Sequence, residues 1–474
     1  MQSFIAVLSI ALTIVTLLYM NQDPDPPGRI IERISKVPSS SNDTTHCDVV
    51  NLETLRHVAI VYTWVNGTEK CYNTRRERAG LPPGGTSRDK EMGELKYSLR
   101  SLVKYAPWLV GPIYLVTPGQ IPDWLNVSNP RIRLVDQDDL LPKDKVTLPT
   151  FDTNVIEQYL HKIPGLTDIF IHMNDDYLFI KPVTPDRLFT CEGGLRFLTE
   201  INHIRHVPSI KARPWLASVR NTVMLMDKTY GGQHVYNFIK HAPFVYSRFA
   251  FEEIHKKFAK ELDATLSFQL RTSNDLNMPL LHHIYMQEEG SKILGIPVGL
   301  NPLSESEEWK LVYLKDDGHE MLDAQFKKAL NNEGPEILLA LNDGFTNSKT
   351  AEIVGRFYSL MLPEPTVFEL PEGQYVSVVS NWHGDDCAYD PNVIPLPDSV
   401  SVQADKNAMT WAPAPAQFRS PNELAFAGMT QSFGWNLASN VGYIFGLIIA
   451  IVVAVYISRF SGKRIPGLYA AKRV

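Results

Sequence analysis

Hydrophobic positions along the chain change their period several times, and each change predicts an element. The run VAIVYT over 58–63 is short, apolar and β-branched, and it stops at the Asn66-Gly67 turn signal, so it predicts a strand. Over 92–106 the apolar residues Leu95, Leu99, Leu102 and Val103 recur at helical spacing until Pro107, which predicts an amphipathic helix. PIYLVT (112–117), RIRLVD (131–136) and IFIHM (169–173) predict further strands, and 154–163 predicts a helix closed by Pro164-Gly165. Strands separated by helices, with no internal repeat, indicate an α/β unit built on a largely parallel sheet.

Two stretches carry no period because nearly every residue is apolar. Residues 4–20 (FIAVLSIALTIVTLLYM) and 441–457 (VGYIFGLIIAIVVAVYI) contain no charge, and each has the length of a short membrane span. The first lacks the basic n-region and the A-x-A-like site of a cleaved signal peptide, so it is expected to be an uncleaved anchor. The second is followed in 458–474 by Arg459, Lys463, Arg464, Lys472 and Arg473 with no acid, which by the positive-inside rule sets the tail in the cytoplasm. Both termini are then expected to be cytoplasmic, with the region between them lumenal. Residues 21–56 and 372–440 are polar or Pro-rich: the first is expected to be a stalk, the second a juxtamembrane segment, with a catalytic unit over 57–371 between them.

Composition narrows the classes. The 474 residues carry 46 basic and 52 acidic side chains, and once the five basic residues of the tail are set aside the acids are in excess by 11. That balance argues against a nucleic-acid partner. Four cysteines are too few for a disulfide scaffold, and their spacing does not suggest zinc. Cys47, Cys71, Cys191 and Cys387 all lie between the apolar segments, where disulfides are permitted and three pairings are open. The tripeptides at Asn42, Asn66 and Asn126 fit N-glycosylation on the same side of the membrane.

In open α/β sheets ligands bind beyond the carboxyl ends of the strands. Three polar turns fall there: Thr63-Trp64-Val65-Asn66-Gly67, Thr117-Pro118-Gly119-Gln120 and Asn174-Asp175-Asp176. An Asp-Asp pair is most often a solvated turn. After an apolar strand it also suits a hard divalent cation, which takes one or two carboxylates and completes its shell with phosphate oxygens and water.

The segments IVYTWVNG (60–67), GELKYSLRSLVKYAPWLVGPIYLVTPGQIPDWLNVSNPRIRLVDQDDLLP (93–142), LPTFDTNVIEQYLHKIPGL (148–166) and FIHMNDDYLF (170–179) closely resemble the Stealth family of sugar-phosphate transferases. The resemblance continues through 241–258, 271–286 and 336–371, so that four family-like regions occur in order near 58–67, 88–190, 221–286 and 336–371. The family includes microbial capsule and exopolysaccharide phosphotransferases and the eukaryotic N-acetylglucosamine-1-phosphotransferase precursor. The resemblance implies a glycosyltransferase-A-like nucleotide-sugar fold. It also implies transfer of a sugar 1-phosphate from a nucleotide diphosphate sugar to a hydroxyl of a glycan or glycoprotein, with Mg²⁺ or Mn²⁺ and no organic cofactor. Two anchors suit a Golgi membrane enzyme, and homodimerisation is left open.

Roles follow position by position. Asp175 and Asp176 are the expected metal ligands, with Glu94 a further acid of the site; in a helix first turn Glu94 would equally serve the helix dipole. His241 is the expected general base and Arg271 the phosphate-binding cation, with Asn274 and Asp275 orienting it or touching the acceptor. Tyr62, Thr63, Trp64, Asn66 and Gly67 should line the nucleotide pocket with Gln120 and Asn174, although Trp64 also suits a core aromatic. Lys96, Arg100 and Lys104 form an i, i+4 stripe read as a solvated helix face. His234, His255, His282 and His283 are expected to be structural.

Three departures matter. Ala59 stands where the family commonly has Asp, which leaves the donor base open. Asn342-Asp343-Gly344 matches the last region only loosely. The cysteine-rich modules that the lysosomal-tagging enzyme carries between its catalytic halves are absent from 180–220, which favours a glycan over a lysosomal protein as acceptor. A metal-dependent glycosyltransferase that moves the sugar without phosphate, and a non-catalytic carbohydrate binder, are the alternatives.

Overall fold

The computed structural model describes residues 47–85, 90–206, 213–342 and 344–394, all within one compact unit. The two apolar segments, most of the expected stalk and residues 395–474 lie outside these. Among the described residues no helix is long and apolar enough to cross a membrane.

The predicted strands form as β1 (Ala59–Thr63), β2 (Ile113–Thr117), β3 (Ile132–Asp136) and β4 (Ile169–Asn174). After a two-residue turn β4 continues into β5 (Tyr177–Phe179), and β6 (Phe244–Ser247) closes the main sheet. That sheet has the order β3-β2-β1-β4-β6; the first four strands are parallel, and β6 runs antiparallel to β4. β1 and β2 are buried along almost their whole length, which explains why their sequences are continuous apolar runs rather than alternating ones. A second sheet joins β7 (Trp309–Tyr313), β8 (Leu338–Asn342) and β5, so β4 and β5 tie the two sheets together at the Asp175-Asp176 turn.

Among the helices, α1 (Lys70–Arg78) and α2 (Glu94–Tyr105) follow β1 in the chain, and α3 (Thr153–Gln158) precedes β4. Leu95, Leu99 and Leu102 of α2 enter the core, whereas Val103, counted with them from the spacing, is exposed. Gly93 caps α2 with φ 87°, a left-handed conformation in which a side chain is strained. The helix expected over 154–163 breaks at Tyr159 into α3 and a 3₁₀ turn, Leu160–Lys162. Farther along come α4 (Pro214–Tyr230), α5 (Met278–Tyr285), α6 (His319–Leu330) and α7 (Ser348–Met361). Helices α6 and α7 cover the second sheet, with the Phe326 and Phe357 rings stacked at 4.1 Å.

Three expectations need correction. The packed unit begins by Cys47 rather than at 57: Val49 and Leu55 are buried, and Cys47 is disulfide-bonded to Cys191. Two apolar anchors and one covalent link suffice to dock a segment that is polar by composition.

Residues 372–394 are likewise part of the unit. They form a strap tied to α1 by Cys71–Cys387, with Ile121 N–H donating to Val379 O (2.7 Å), Asn381 Nδ2 donating to Asp136 Oδ2 (2.9 Å) and Arg75 lying 4.4 Å from the Trp382 ring.

Arg100 is no solvated charge. Its guanidinium is buried and donates to both carboxylate oxygens of Glu369 (2.8 and 2.6 Å) and to Leu362 O, while Lys104 donates to Met361 O.

Candidate active site

A cavity of about 240 Å³ opens at the carboxyl ends of β1, β2 and β4. It takes Thr63 and Trp64 from β1 and the turn after it, Asn174, Asp175 and Asp176 from the end of β4, and Glu94 from the start of α2. His241 enters from the approach to β6, Arg271 from the loop before α5, and Asn342 from the end of β8. The two-sheet construction fixes the acid pair, since Leu341 N–H of β8 donates to Asp176 O at 3.0 Å.

The geometry around Asp176 is specific. One carboxylate oxygen, Oδ2, lies 3.0 Å from His241 Nε2, and the Tyr177 hydroxyl lies 3.2 Å from His241 Nδ1. Burial and the neighbouring acids hold the Tyr177 hydroxyl protonated, with its pKa well above the usual phenol value. The phenol and the Asp176 carboxylate thus engage both ring nitrogens of His241. The other oxygen of Asp176, Oδ1, is buried and, among the described residues, has no hydrogen-bond partner. Beside it Asp175 is pushed well above the carboxylate range, first by burial and then by Asp176, Glu94 and Glu91.

Among the described residues no group of three His, Cys, Asp or Glu side chains is placed to cage an ion. The two acids nevertheless fit a divalent cation. A buried carboxylate oxygen that no donor reaches among the described residues, beside a second carboxylate pushed up by burial and its acidic neighbours, is what such an ion relieves, and phosphate and water can complete its shell.

The cationic side is built from Arg271 and Lys90, both on the cavity wall. Thr153 Oγ1, on the first turn of α3, accepts from Arg271 Nε (2.7 Å) and from its Nη2. One helical turn later Glu157 faces the same space, its carboxyl pushed up to about 7 by burial against the opposing pull of Arg271 and His241. Among the described residues no donor is bonded to that carboxylate.

Several expected residues are elsewhere. Tyr62 is wholly buried, its hydroxyl paired with Ser98 Oγ at 3.1 Å, so it belongs to the core and not to the pocket. Gly67 is buried in its turn, where its carbonyl accepts from Asn73 Nδ2. Asn66 and Gln120 bond each other (Asn66 N–H to Gln120 Oε1, 2.8 Å) and line a neighbouring cleft of about 300 Å³ on the far side of Trp64. Asp275 is fully buried, accepting from Asn154 Nδ2 and from the Thr272 N–H and hydroxyl; it shapes the loop that carries Arg271 and lines neither space. Asn274 on that loop is exposed and lines neither space. Trp64 is both core aromatic and cavity wall, its Nε1 donating to Glu91 at 2.7 Å. His282 accepts from Ser247 N–H and His283 stacks on Phe197 at 3.9 Å, packing roles in keeping with their expected place.

The sequence reading missed Glu157, Thr153 and Lys90. A signal existed for the first two: Thr153 and Glu157 are i, i+4 neighbours and so share the face of α3 turned to the cavity.

The fold and cavity define an α/β protein whose strand ends gather an acid pair, a histidine and two cations, a donor set that suits a diphosphate and its metal. Two family models match the chain, Stealth conserved region 2 over residues 88–197 and Stealth conserved region 3 over 240–288. A capsular polysaccharide phosphotransferase of Haemophilus influenzae is 31% identical over 247 residues, covering 50% of this chain and 67% of that one. An exopolysaccharide phosphotransferase of Streptomyces coelicolor is 34% identical over 245 residues, which is 50% of this chain but only 40% of that relative's length. The chain belongs to the Stealth family. The matched stretches hold Glu94, Asp175, Asp176, His241 and Arg271, while the turn at 62–67 and the 336–371 segment lie outside them. Among solved structures the galactosyltransferase LgtC with donor and acceptor sugar analogues aligns over 66% of this chain and 98% of its own at 10% identity, with a TM-score of 0.33.

Proposed function

We propose that this protein transfers a sugar 1-phosphate from a nucleoside diphosphate sugar to a hydroxyl of a glycan or glycoprotein acceptor, forming a phosphodiester, on a glycosyltransferase-A-like nucleotide-sugar fold. The observation that carries the reading is the pairing of Asp176 Oδ2 with His241 at 3.0 Å, which leaves Oδ1 buried and unpaired in a cavity that also holds Arg271. A plain sugar-binding pocket has no use for a buried carboxylate oxygen without a donor on the same wall as Arg271 and Lys90, whereas a site for a metal-bound diphosphate does.

In the reaction the acceptor oxygen attacks the β-phosphorus, the bond from that phosphorus to the α–β bridging oxygen breaks, and the nucleoside monophosphate departs with that oxygen. A divalent cation held by Asp175 and Asp176 would neutralise charge on the diphosphate. Arg271, fixed by Thr153, is poised to bind the non-bridging oxygens. His241, with both ring nitrogens engaged, holds Asp176 in register; this revises the expectation that it is the base. Glu157, with its carboxyl near neutral pKa and no bonded donor, takes the acceptor's proton. The enzyme is proposed to sit in the Golgi membrane with this unit lumenal, consistent with two disulfides and with the sequon at Asn126 on one side of the expected anchors.

The test is to incubate the full chain with a panel of labelled nucleotide sugars and neutral oligosaccharides. Release of nucleoside monophosphate together with a phosphodiester product is expected, and it is expected to vanish in Asp176→Asn and on chelation. Release of nucleoside diphosphate would establish sugar transfer without phosphate instead. Full turnover in excess chelator would remove the metal from the account.

A further inference from the structure

The cleft beyond Trp64 is chemically unlike the cavity it adjoins. Its wall carries the indole rings of Trp64 and Trp124, the amide of Gln120, and three carboxylates from Glu69, Glu91 and Asp123 against one amine, Lys96. That lysine is already committed, with Nζ 3.4 Å from Glu369 Oε2 and 5.8 Å from the centre of the Trp124 ring. Glu69 is occupied too, accepting from the N–H groups of Cys71 and Tyr72 as the cap of α1, and Glu91 accepts from Trp64 Nε1 and Gly93 N–H. The Asp123 side chain is exposed and, among the described residues, accepts no hydrogen bond, next in the chain to the half-buried Trp124. The far wall is Val379 of the disulfide-tethered strap.

Such a surface repels phosphate. Three carboxylates facing one paired lysine disfavour any polyanion; the first cavity is acidic too, but there Arg271 and Lys90 line the wall and the cation proposed at Asp175 and Asp176 would offset the acids. What the cleft accepts is an uncharged ligand with an apolar face for an indole ring and hydroxyl groups for carboxylate and amide oxygens. A pyranose has both. The two spaces share the Trp64 wall, and Glu91 of one and Glu94 of the other are three residues apart where the chain enters α2, so a sugar seated in the cleft lies beside the cavity of the acid pair.

We propose that this cleft is the acceptor subsite: it binds an uncharged sugar unit of the glycan acceptor against Trp124, with Asp123 accepting from its hydroxyls, and Trp64 separates it from the donor. The assignment rests on the transfer reaction proposed above, but the binding it describes does not need that reaction to be correct.

Two measurements on the full chain keep those apart. The first needs no turnover: binding to a printed array of neutral and acidic oligosaccharides, with uridine diphosphate and guanosine diphosphate as competitors. The wild type is expected to retain neutral glycans, Trp124→Ala to lose at least tenfold in affinity, and neither diphosphate to displace the glycan. Trp124→Phe, which keeps a ring, should restore most of the binding, and Asp123→Asn, at an exposed position with no structural bond to lose, should weaken it several-fold in a folded protein. Retention of acidic glycans only, displacement by a diphosphate, or no retention at all would overturn the subsite even if turnover is found. The second measurement uses whichever donor is cleaved: Trp124→Ala should raise the KM for acceptor at least tenfold and that for donor less than twofold. A matching rise in donor KM would assign the cleft to the donor's own sugar and overturn the proposal. If no donor is cleaved but neutral glycans bind through Trp124, the transfer reaction fails and the subsite stands.

Discussion

At the scale of single residues, the proposed reaction gives the acceptor's proton to Glu157 rather than to His241. A base must have a free lone pair when the acceptor arrives, and both ring nitrogens of His241 are bonded, to Asp176 and to the Tyr177 hydroxyl. Glu157→Gln is therefore expected to lower the single-turnover rate by about 10²–10⁴-fold, the usual worth of general base catalysis. The wild-type rate should fall as pH drops below about 7, where the Glu157 carboxylate takes up its proton, and this dependence should disappear in the variant. Stability moves in a calculable direction. The folded carboxyl titrates near 7, above its ordinary 4.5, so the folded state holds a proton that the unfolded chain has lost, and stability contributed by this group declines as pH rises through that window. Glu157→Gln should therefore gain on the wild type between about pH 4.5 and 7, by about 1–3 kcal/mol after allowance for solvent in the cavity, read by urea denaturation at several pH values. His241→Ala makes a different expectation. If the ring orients Asp176, metal affinity should fall about 10–100-fold, measured by titration calorimetry, and excess metal should recover much of the rate. Loss of rate that no metal concentration restores would return the proton to His241.

At the scale of elements, α2 shows how a surface-like pattern hides a buried function. Its Lys96, Arg100 and Lys104 stripe has the sequence of a solvated face, yet it grips residues 361–369, with Arg100 forked onto Glu369 and only 9% and 5% of the two side chains exposed. Removing one partner strands a buried charge, so Arg100→Ala is expected to cost about 3–5 kcal/mol, whereas the paired change of Arg100→Met with Glu369→Leu should cost much less. Equal losses in urea titrations of the two would refute the buried-pair account. The parallel strands were legible for a physical reason: buried on both faces, they must be continuously apolar, as AIVYT and IYLVT are. The second sheet was harder to read: β5 spans only three residues and β7 is buried at Trp309 and Val312 alone, whereas β8 (LLALN) is as continuously apolar as β1. The acid pair could be found because it ends a strand. Glu157 offered only its i, i+4 spacing from Thr153, a signal that is the same whether that face meets water or a cavity, and the packing of α3 decides which. Tyr62 and Asp275 failed in the opposite sense: both stand in motif-like runs, and both turn inward to hold the backbone that carries the site.

At the scale of the molecule, two covalent ties hold the ends of the described chain, one joining its start to its middle and the other joining its end to α1 near its start. Cys47–Cys191 spans 144 residues and Cys71–Cys387 spans 316, and both join segments whose composition alone suggests stalks. A strap of polar residues with few buried side chains has little hydrophobic reason to stay down, so the long-range tie compensates by restricting the unfolded chain. For loops of this length removal of one bridge is expected to cost about 2–5 kcal/mol. The strap also supplies Val379 to the cleft beside Trp64, and Asn381 N–H donates to Gly119 O at the edge of β2, so its release should be felt at the glycan cleft before it is felt at the acid pair. In Cys71→Ser with Cys387→Ser, limited proteolysis should cut first within 372–394 while the core from 59 to 342 stays resistant. Affinity for neutral glycans should fall more than affinity for the nucleotide. Were the two to fall together, or the core to be cut as early as the strap, the tie would be holding the whole fold rather than one wall of one cleft.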